Sequence, residues 1–323
     1  MAQGFAISPL MQEMMTYVGQ KESYGNGVEV LEKLAGVTVC PAQLYRVTNT
    51  YGALLEAEMA GTASVADLPL ADVDEGEVVY AEMDGGMIFT DDDWREVKVG
   101  RLFRESDCRQ SGSEKRNGSI LKSEYSAYLG NFREFMNRFD RIISPNGHLG
   151  TRLVFITDGA LWIKNWISEN YPEATQILDL YHVKEHLAEF AKLVLSDETA
   201  RQKWLEGQAN QLLKGHFDPV LKAIRAFTLP LPKHRAEQET LVSYLLDNQY
   251  RMQYDLYLEA GLFIGSGAIE SAHRTVVQSR LKRSGQRWSE AGAQNMLNLR
   301  VAHMSKQWNK VVNLIQNQTA QAA

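Results

Sequence analysis

VVYAEMDGGMIF, residues 78 to 89, decides how the rest of the chain is read. Its Val, Tyr, Met, Ile and Phe residues make a strand of the buried kind. Asp84 interrupts them and is followed at once by Gly85 and Gly86. A carboxylate inside such a strand is costly unless it is paired or bound to a cation. LVFIT, residues 153 to 157, repeats the pattern: the apolar strand runs out at Asp158, and Gly159 follows. In open α/β sheets chemistry gathers at the carboxyl ends of strands, and a glycine after the acid lets a backbone or a ligand come close. Asp-Gly is also a common turn, and either acid taken singly reads that way. The third candidate is Glu270 in GLFIGSGAIESAHRTVVQSR. It follows the breaker Gly265-Ser266-Gly267, in the first turn of a helix starting near Ala268, and faces one way with Arg274 and Val277. Taken alone, it complements the helix dipole.

Two aspartates on strands and a glutamate on a helix together make a set of hard oxygen ligands, suited to Mg²⁺ or to Mn²⁺ in its place. Two such ions roughly 3.5–4 Å apart activate an attacking hydroxyl and steady the leaving oxygen of a phosphodiester. A bound cation would also explain an ionised Asp84 in an apolar strand.

The 323 residues suffice for one large domain or a few smaller units, and a composition of 44% hydrophobic and 23% charged residues is that of a soluble globular protein. No apolar run approaches the roughly 18 residues of a membrane span. The N-terminal MAQGFAISPLMQEMM lacks the pattern of a signal peptide, and Cys40 and Cys108 are too few for a disulfide framework. A cytoplasmic protein with no membrane partner is expected. The net charge of −6 argues against a general nucleic-acid coat, yet the charge is uneven. From Ser271 to Lys310, Arg274, Arg280, Lys282, Arg283, Arg287, Arg300, Lys306 and Lys310 face a single acid, Glu290. The run is either a solvated helix face or a surface for phosphate backbone. Trp288 beside it either stacks on an unpaired base or anchors a last helix, which from Ser289 lines up Leu297, Val301, Met304, Trp308, Val311 and Ile315.

Residues 8 to about 58 read as helices, with a break at AGVTV and a fresh start at Pro41. Helix, short turn, helix is the outline of a helix-turn-helix, or of two helices that only support. A linker follows over 61–77. Beyond it come a second strand at WREVKVGRLFRE and a long helix from about Leu121 to Ile143, carrying a stripe of Tyr125, Tyr128, Phe132, Phe135 and Phe139. TRLVFITDGALWIKNWISENYP reads as strand, turn and helix, and TQILDLYHVKEHL as strand feeding helix. Val183 to about Ala260 is helical apart from FTLPLPKH. Strands alternating with helices imply a partly parallel sheet.

The ordered segments YAEMDGG, VFITDGALWI, ILDLYHVKEHL, GSGAIESAHRTVVQSRLKRSGQRWS and GAQNMLNLR resemble the DDE-type transposases of bacterial insertion sequences, of the ISKra kind, themselves similar to the Mutator-like group. The likeness runs from about Val78 to Trp308, and the region before the linker resembles that family's helix-turn-helix. The resemblance implies an α/β fold: a ribonuclease H-like mixed sheet with an all-helical insertion, preceded by a small helical N-terminal region. Residues 1–60 would bind DNA, 61–77 would link, 78–182 would open the catalytic core, 183–262 would be the insertion, and 263–317 would carry the last catalytic helix and the basic C-terminal helices. Asp84, Asp158 and Glu270 then become the catalytic, metal-binding acids for Mg²⁺ or Mn²⁺. The substrate becomes double-stranded DNA, at terminal inverted repeats and at the target, with a homodimer or higher oligomer pairing the two ends on the bacterial nucleoid. Asp179 and His182 in DLYH fill an Asp/Cys-x-x-His element with a supporting role, although the residues alone equally suit a satisfied histidine at a strand end. Arg274, Arg280, Lys282, Arg283 and Arg287 would contact phosphates. Many members of that group carry extra N-terminal sequence, so the resemblance implies a short or a truncated member.

Two other readings stand beside this one. A captured transposase that binds DNA without cutting, as regulator or scaffold, needs the same basic run. A small-molecule phosphatase rests on the faint likeness of EMDGG to the loop of haloacid dehalogenase-like enzymes, where Glu82 occupies the place of the required nucleophilic aspartate.

Overall fold

The computed structural model describes residues 5–60, 68–110, 118–147 and 151–322. They form two compact units, one of Met1–Thr151 with Ala268–Ala323 and one of Arg152–Gly267. Residues 61–67 of the expected linker and 111–117 of the polar loop lie outside the described residues.

In the first unit β1 (Val78–Phe89) and β2 (Trp94–Arg104) make a long antiparallel hairpin. A short ribbon follows, β3 (Cys108–Gln110) with β4 (Gly118–Ile120). The other edge of β2 pairs, also antiparallel, with β5 (Glu124–Leu129). This last strand corrects the helix expected from Leu121 to Ile143, since only α4 (Phe132–Asn146) is helical. Tyr125, Tyr128, Leu129 and Phe132 fit a helical stripe by spacing, but Tyr125, Ala127 and Leu129 fit a strand as well, and these three are its buried hydrophobic residues. Gly130, at φ 132, ends the strand, and the Asn131 side chain caps α4 by accepting from the Glu134 amide at 2.9 Å.

The N-terminal helices are α1 (Pro9–Lys21), α2 (Tyr24–Ala35) and α3 (Pro41–Ala60). Met15, Leu31, Leu44, Val47 and Tyr51 bury in one cluster with Leu299, Val311 and Ile315. The helices expected as a separate DNA-binding region thus share a core with the C-terminal ones. The final helix expected from Ser289 is two, α13 (Glu290–Met304) and α14 (Asn309–Ala322), parted at Lys306 with its φ of 57. Ahead of them α11 (Gly267–Ala272) runs through a π-helical turn, His273–Gln278, into α12 (Ser279–Leu281). Ile269, Ala272, Val276 and Val277 bury against Ile88, Val97 and Val99 of the hairpin.

The second unit has the strand–helix alternation read from the sequence. Strand β6 (Arg152–Thr157), α5 (Leu161–Asn170) and β7 (Thr175–Leu178) follow in order, with β7 parallel to β6. Five helices complete it: α6 (Leu180–Val194), α7 (Glu198–Leu213), α8 (Phe217–Arg225), α9 (Pro232–Asn248) and α10 (Tyr254–Glu259). The chain is a mixed α/β protein. No helix among the described residues is long and apolar enough to cross a membrane.

Candidate functional site

Residues 78 to 83 of β1 are all buried, and the strand reaches the surface at Asp84. The carboxylate sealed inside this strand is therefore not Asp84, whose side chain is 45% exposed, but Glu82, at 1%. Its role is visible. Glu82 Oε2 accepts from the Ile269 amide at 2.7 Å, one of the helix-start donors that has no partner within its own helix. The residue opposite Glu82 on β2 is Arg101, which is also buried. Arg101 Nη1 donates to the Ala268 carbonyl at 2.7 Å and its Nε to Ser123 Oγ at 3.0 Å. An acid and a base from facing strand positions thus grip adjacent backbone groups in the first turn of α11, immediately before Glu270. A negative side chain at a helix start is also favoured by the helix dipole.

Asp84 Oδ1 accepts from the Gly85 amide at 2.7 Å, and its Oδ2 lies 3.6 Å from Nε2 of the buried His273. Glu270 is exposed and stands three residues before His273, in the last α-helical turn ahead of the π-helical one. Asp84 and Glu270 are hard oxygen donors open to solvent, which suits Mg²⁺ in kind, because that ion commonly takes one or two carboxylates and fills its shell with water and substrate phosphate. Among the described residues no three His, Cys, Asp or Glu side chains gather closely enough to hold a metal by themselves. Sequence reasoning missed Glu82, Arg101 and His273. The period-two alternation of Glu82 with Asp84 in β1 was the available signal for the first.

In the second unit Asp158 is half-buried just past β6, and its Oδ1 accepts from the Ala160 amide at 3.0 Å, closing the turn into α5. Asp179, past β7, is buried, and protein donors occupy its oxygens. Oδ1 accepts from the Tyr181 and Ser266 amides at 3.0 and 3.1 Å, and Oδ2 from Ser266 Oγ at 2.6 Å. Its support is structural: it caps α6 and ties down the segment that leads to α11. His182 lies 3.5 Å from Glu185 and edge-on to His186, whose ring meets Tyr244 at 4.4 Å. Desolvation against these rings, with His182 adding to it, holds His186 below the ordinary imidazole value. Burial pushes the Tyr244 phenol well up.

The basic run needs correction. Arg280 is 1% exposed. It donates from Nε to the Gly19 carbonyl and lies between the rings of Tyr24 and Trp288, so no phosphate reaches it. Burial, with Arg283 and Arg300 adding to it against Tyr24, brings its pKa down to about 10. Trp288 is buried too and donates from Nε1 to Leu281, so it anchors and does not stack on a base. Arg283 spends its nitrogens on Ser279, Glu22 and Lys21. Arg274, Lys282 and Arg287 are exposed. The charge pattern alone could not separate these from arginines that hold helices together.

Residues 20–318 match the Uncharacterised protein family (UPF0236). The chain belongs to UPF0236. A curated relative, the "UPF0236 protein in vanSb 3'region" of Streptococcus gallolyticus, is 22% identical over 303 residues. Those residues are 91% of this chain, and the chain spans 63% of that relative's length. The UPF0236 match starts in α1 and ends in α14, so it takes in both units and every acid discussed above.

Proposed function

We propose that this UPF0236 chain is a Mg²⁺-dependent DNA transposase of the insertion-sequence kind, built on a ribonuclease H-like sheet, that cuts and joins phosphodiester bonds at transposon ends. The reading is supported by the order of five sequence segments along most of the chain. The observation that carries it is the fixing of α11 by Glu82 and Arg101, which sets Glu270 on the same unit as the exposed Asp84.

Asp84 and Glu270 would hold the ion from this unit, and the reading requires Asp158 as the third carboxylate. Bound Mg²⁺ would supply the charge that activates the attacking hydroxyl and steadies the leaving oxygen. Arg274, Lys282 and Arg287 meet the phosphates of the DNA backbone. The substrate is double-stranded DNA, and a dimer or larger assembly would hold two ends together.

The test is strand cleavage of a plasmid carrying the DNA that flanks the gene. The parent chain should cut in Mg²⁺ and not in EDTA. Asp84→Ala and Glu270→Gln should bind the same DNA and leave it intact. Cutting by Asp84→Ala at the parent's rate would remove Asp84 from the site. Binding by the parent without cutting would favour a DNA-binding regulator instead.

A further inference from the structure

The proposed chemistry makes no use of His273. Its ring is buried, and Nε2 has no hydrogen-bond partner among the described residues. A buried imidazole nitrogen left unpaired is costly to folding, so its surroundings call for an explanation. The polar atom it faces is Asp84 Oδ2, at 3.6 Å, just beyond hydrogen-bond reach. Two local features bring it there. His273 opens the π-helical turn that interrupts the helix between Ala272 and Ser279, and such turns are rare and concentrate at functional sites. Gly86 leaves the space: a Cβ at that position would stand 2.9 Å from Cε1 and 3.0 Å from Nδ1 of the imidazole.

We infer that His273 is a positioning residue for Asp84. From 3.6 Å a small shift of either side chain lets Nε2–H donate to Oδ2, while the Gly85 amide already holds Oδ1. Held at Oδ1 by the Gly85 amide and faced at Oδ2 by His273, the carboxylate keeps a single orientation, with its 45% exposed side chain presented to a divalent cation. His273 is not itself a ligand on this geometry, because Nε2 is sealed from solvent while the Asp84 side chain is 45% exposed. Hydrogen bonds to metal-binding side chains orient them in this way. The inference rests on the metal reading of Asp84 given above.

The test is Mn²⁺ binding to the whole DNA-free chain, followed by the paramagnetic resonance signal of the free ion, with thermal melting as a check on folding. The variants are His273→Leu, which fills the space without a donor, His273→Gln, which keeps an N–H donor, and Asp84→Asn. His273→Leu should weaken Mn²⁺ affinity about tenfold, and His273→Gln should recover most of the loss. Asp84→Asn should weaken it further. If His273→Leu binds as tightly as the parent while Asp84→Asn does not, His273 plays no part and the metal reading survives. If both His273 variants melt early with affinity unchanged, the imidazole is merely structural and the inference fails. If the parent does not bind, or Asp84→Asn binds like the parent, the metal reading falls and the inference with it.

Discussion

As sequence, Asp84-Gly85-Gly86 of the first unit and Asp158-Gly159 of the second are interchangeable, yet the structure gives their glycines different neighbours. A Cβ on Gly159 would lie 2.1 Å from Cε2 of Tyr244 and 2.8 Å from its hydroxyl, whereas one on Gly86 would meet His273 at 2.9 Å. Asp158 sits past the end of its strand and closes its own turn. Asp84 sits inside its strand, opposite Val99, and depends on a helix from the far end of the chain for its surroundings. A glycine after an acid does mark a close approach, as the pattern suggests. What approaches is the protein's own side chain: the Glu96 carboxylate at Gly85, the His273 imidazole at Gly86 and the Tyr244 ring at Gly159. The difference lies in which side chain arrives and in what holds it there.

The comparison breaks most visibly at Arg101. Arg101→Met removes the donor to the Ala268 carbonyl and to Ser123 Oγ, leaving a buried acceptor unpaired at a cost of about 1–3 kcal/mol. In the first unit the amides of Ile269 to Ala272 should lose protection in hydrogen exchange, and the Asp84 surface should lose its helical neighbour. In the second unit the amides of β6 and of Ala160 should keep their protection, because Asp158 is held through the Ala160 amide. Equal loss in both units would mean that the two acids share a support the local geometry does not reveal.

A smaller effect sharpens the same contrast. Gly159→Ala places its methyl against a ring fixed on α9, with an overpacking cost of about 1–3 kcal/mol. Gly86→Ala meets the imidazole at the longer distance, so its melting temperature should fall less. In a Tyr244→Leu background the penalty of Gly159→Ala should shrink, since neighbouring sites couple. A penalty that stays the same there would show that the clash lies with some other group.

Most of the architecture was legible because it rests on periodicity. The hairpin of β1 and β2, the β6–α5–β7 alternation, the break at 36–40 and the helical run after Val183 all follow from apolar spacing and turn residues. Where two periods coincide, the sequence alone misleads, as at β5: Tyr125 and Tyr128 suit a helix by spacing, Tyr125, Ala127 and Leu129 suit a strand by alternation, and only the tertiary partners Val97 and Val99 decide. The break at Lys306 had no glycine to announce it. At the site, the acids stood out because they interrupt apolar runs. Their supports did not, because Glu82, Arg101 and His273 acquire meaning only when residues far apart in the chain meet.

The smallest effect concerns the basic run, where sequence and burial part most sharply. Arg280 and Arg287 are equal charges in the formal count, yet Arg280 is enclosed by Tyr24 and Trp288 while Arg287 is exposed and lies over the Phe89 ring at 5.1 Å. A phosphate contact releases counterions, so its loss flattens the dependence of DNA affinity on salt, by about one for each contact removed. Arg287→Gln should therefore lower the slope measured on any duplex, and Arg274→Gln and Lys282→Gln should act alike. Arg280→Met should leave the slope unchanged, because its charge never meets the DNA. Losing Nε–H takes the donor from the buried Gly19 carbonyl at a cost of about 1–3 kcal/mol, so the melting temperature should fall while the slope stays. If Arg280→Met flattens the slope as much as Arg287→Gln, the side chain must leave its sandwich to bind DNA, and its burial describes only the unbound protein.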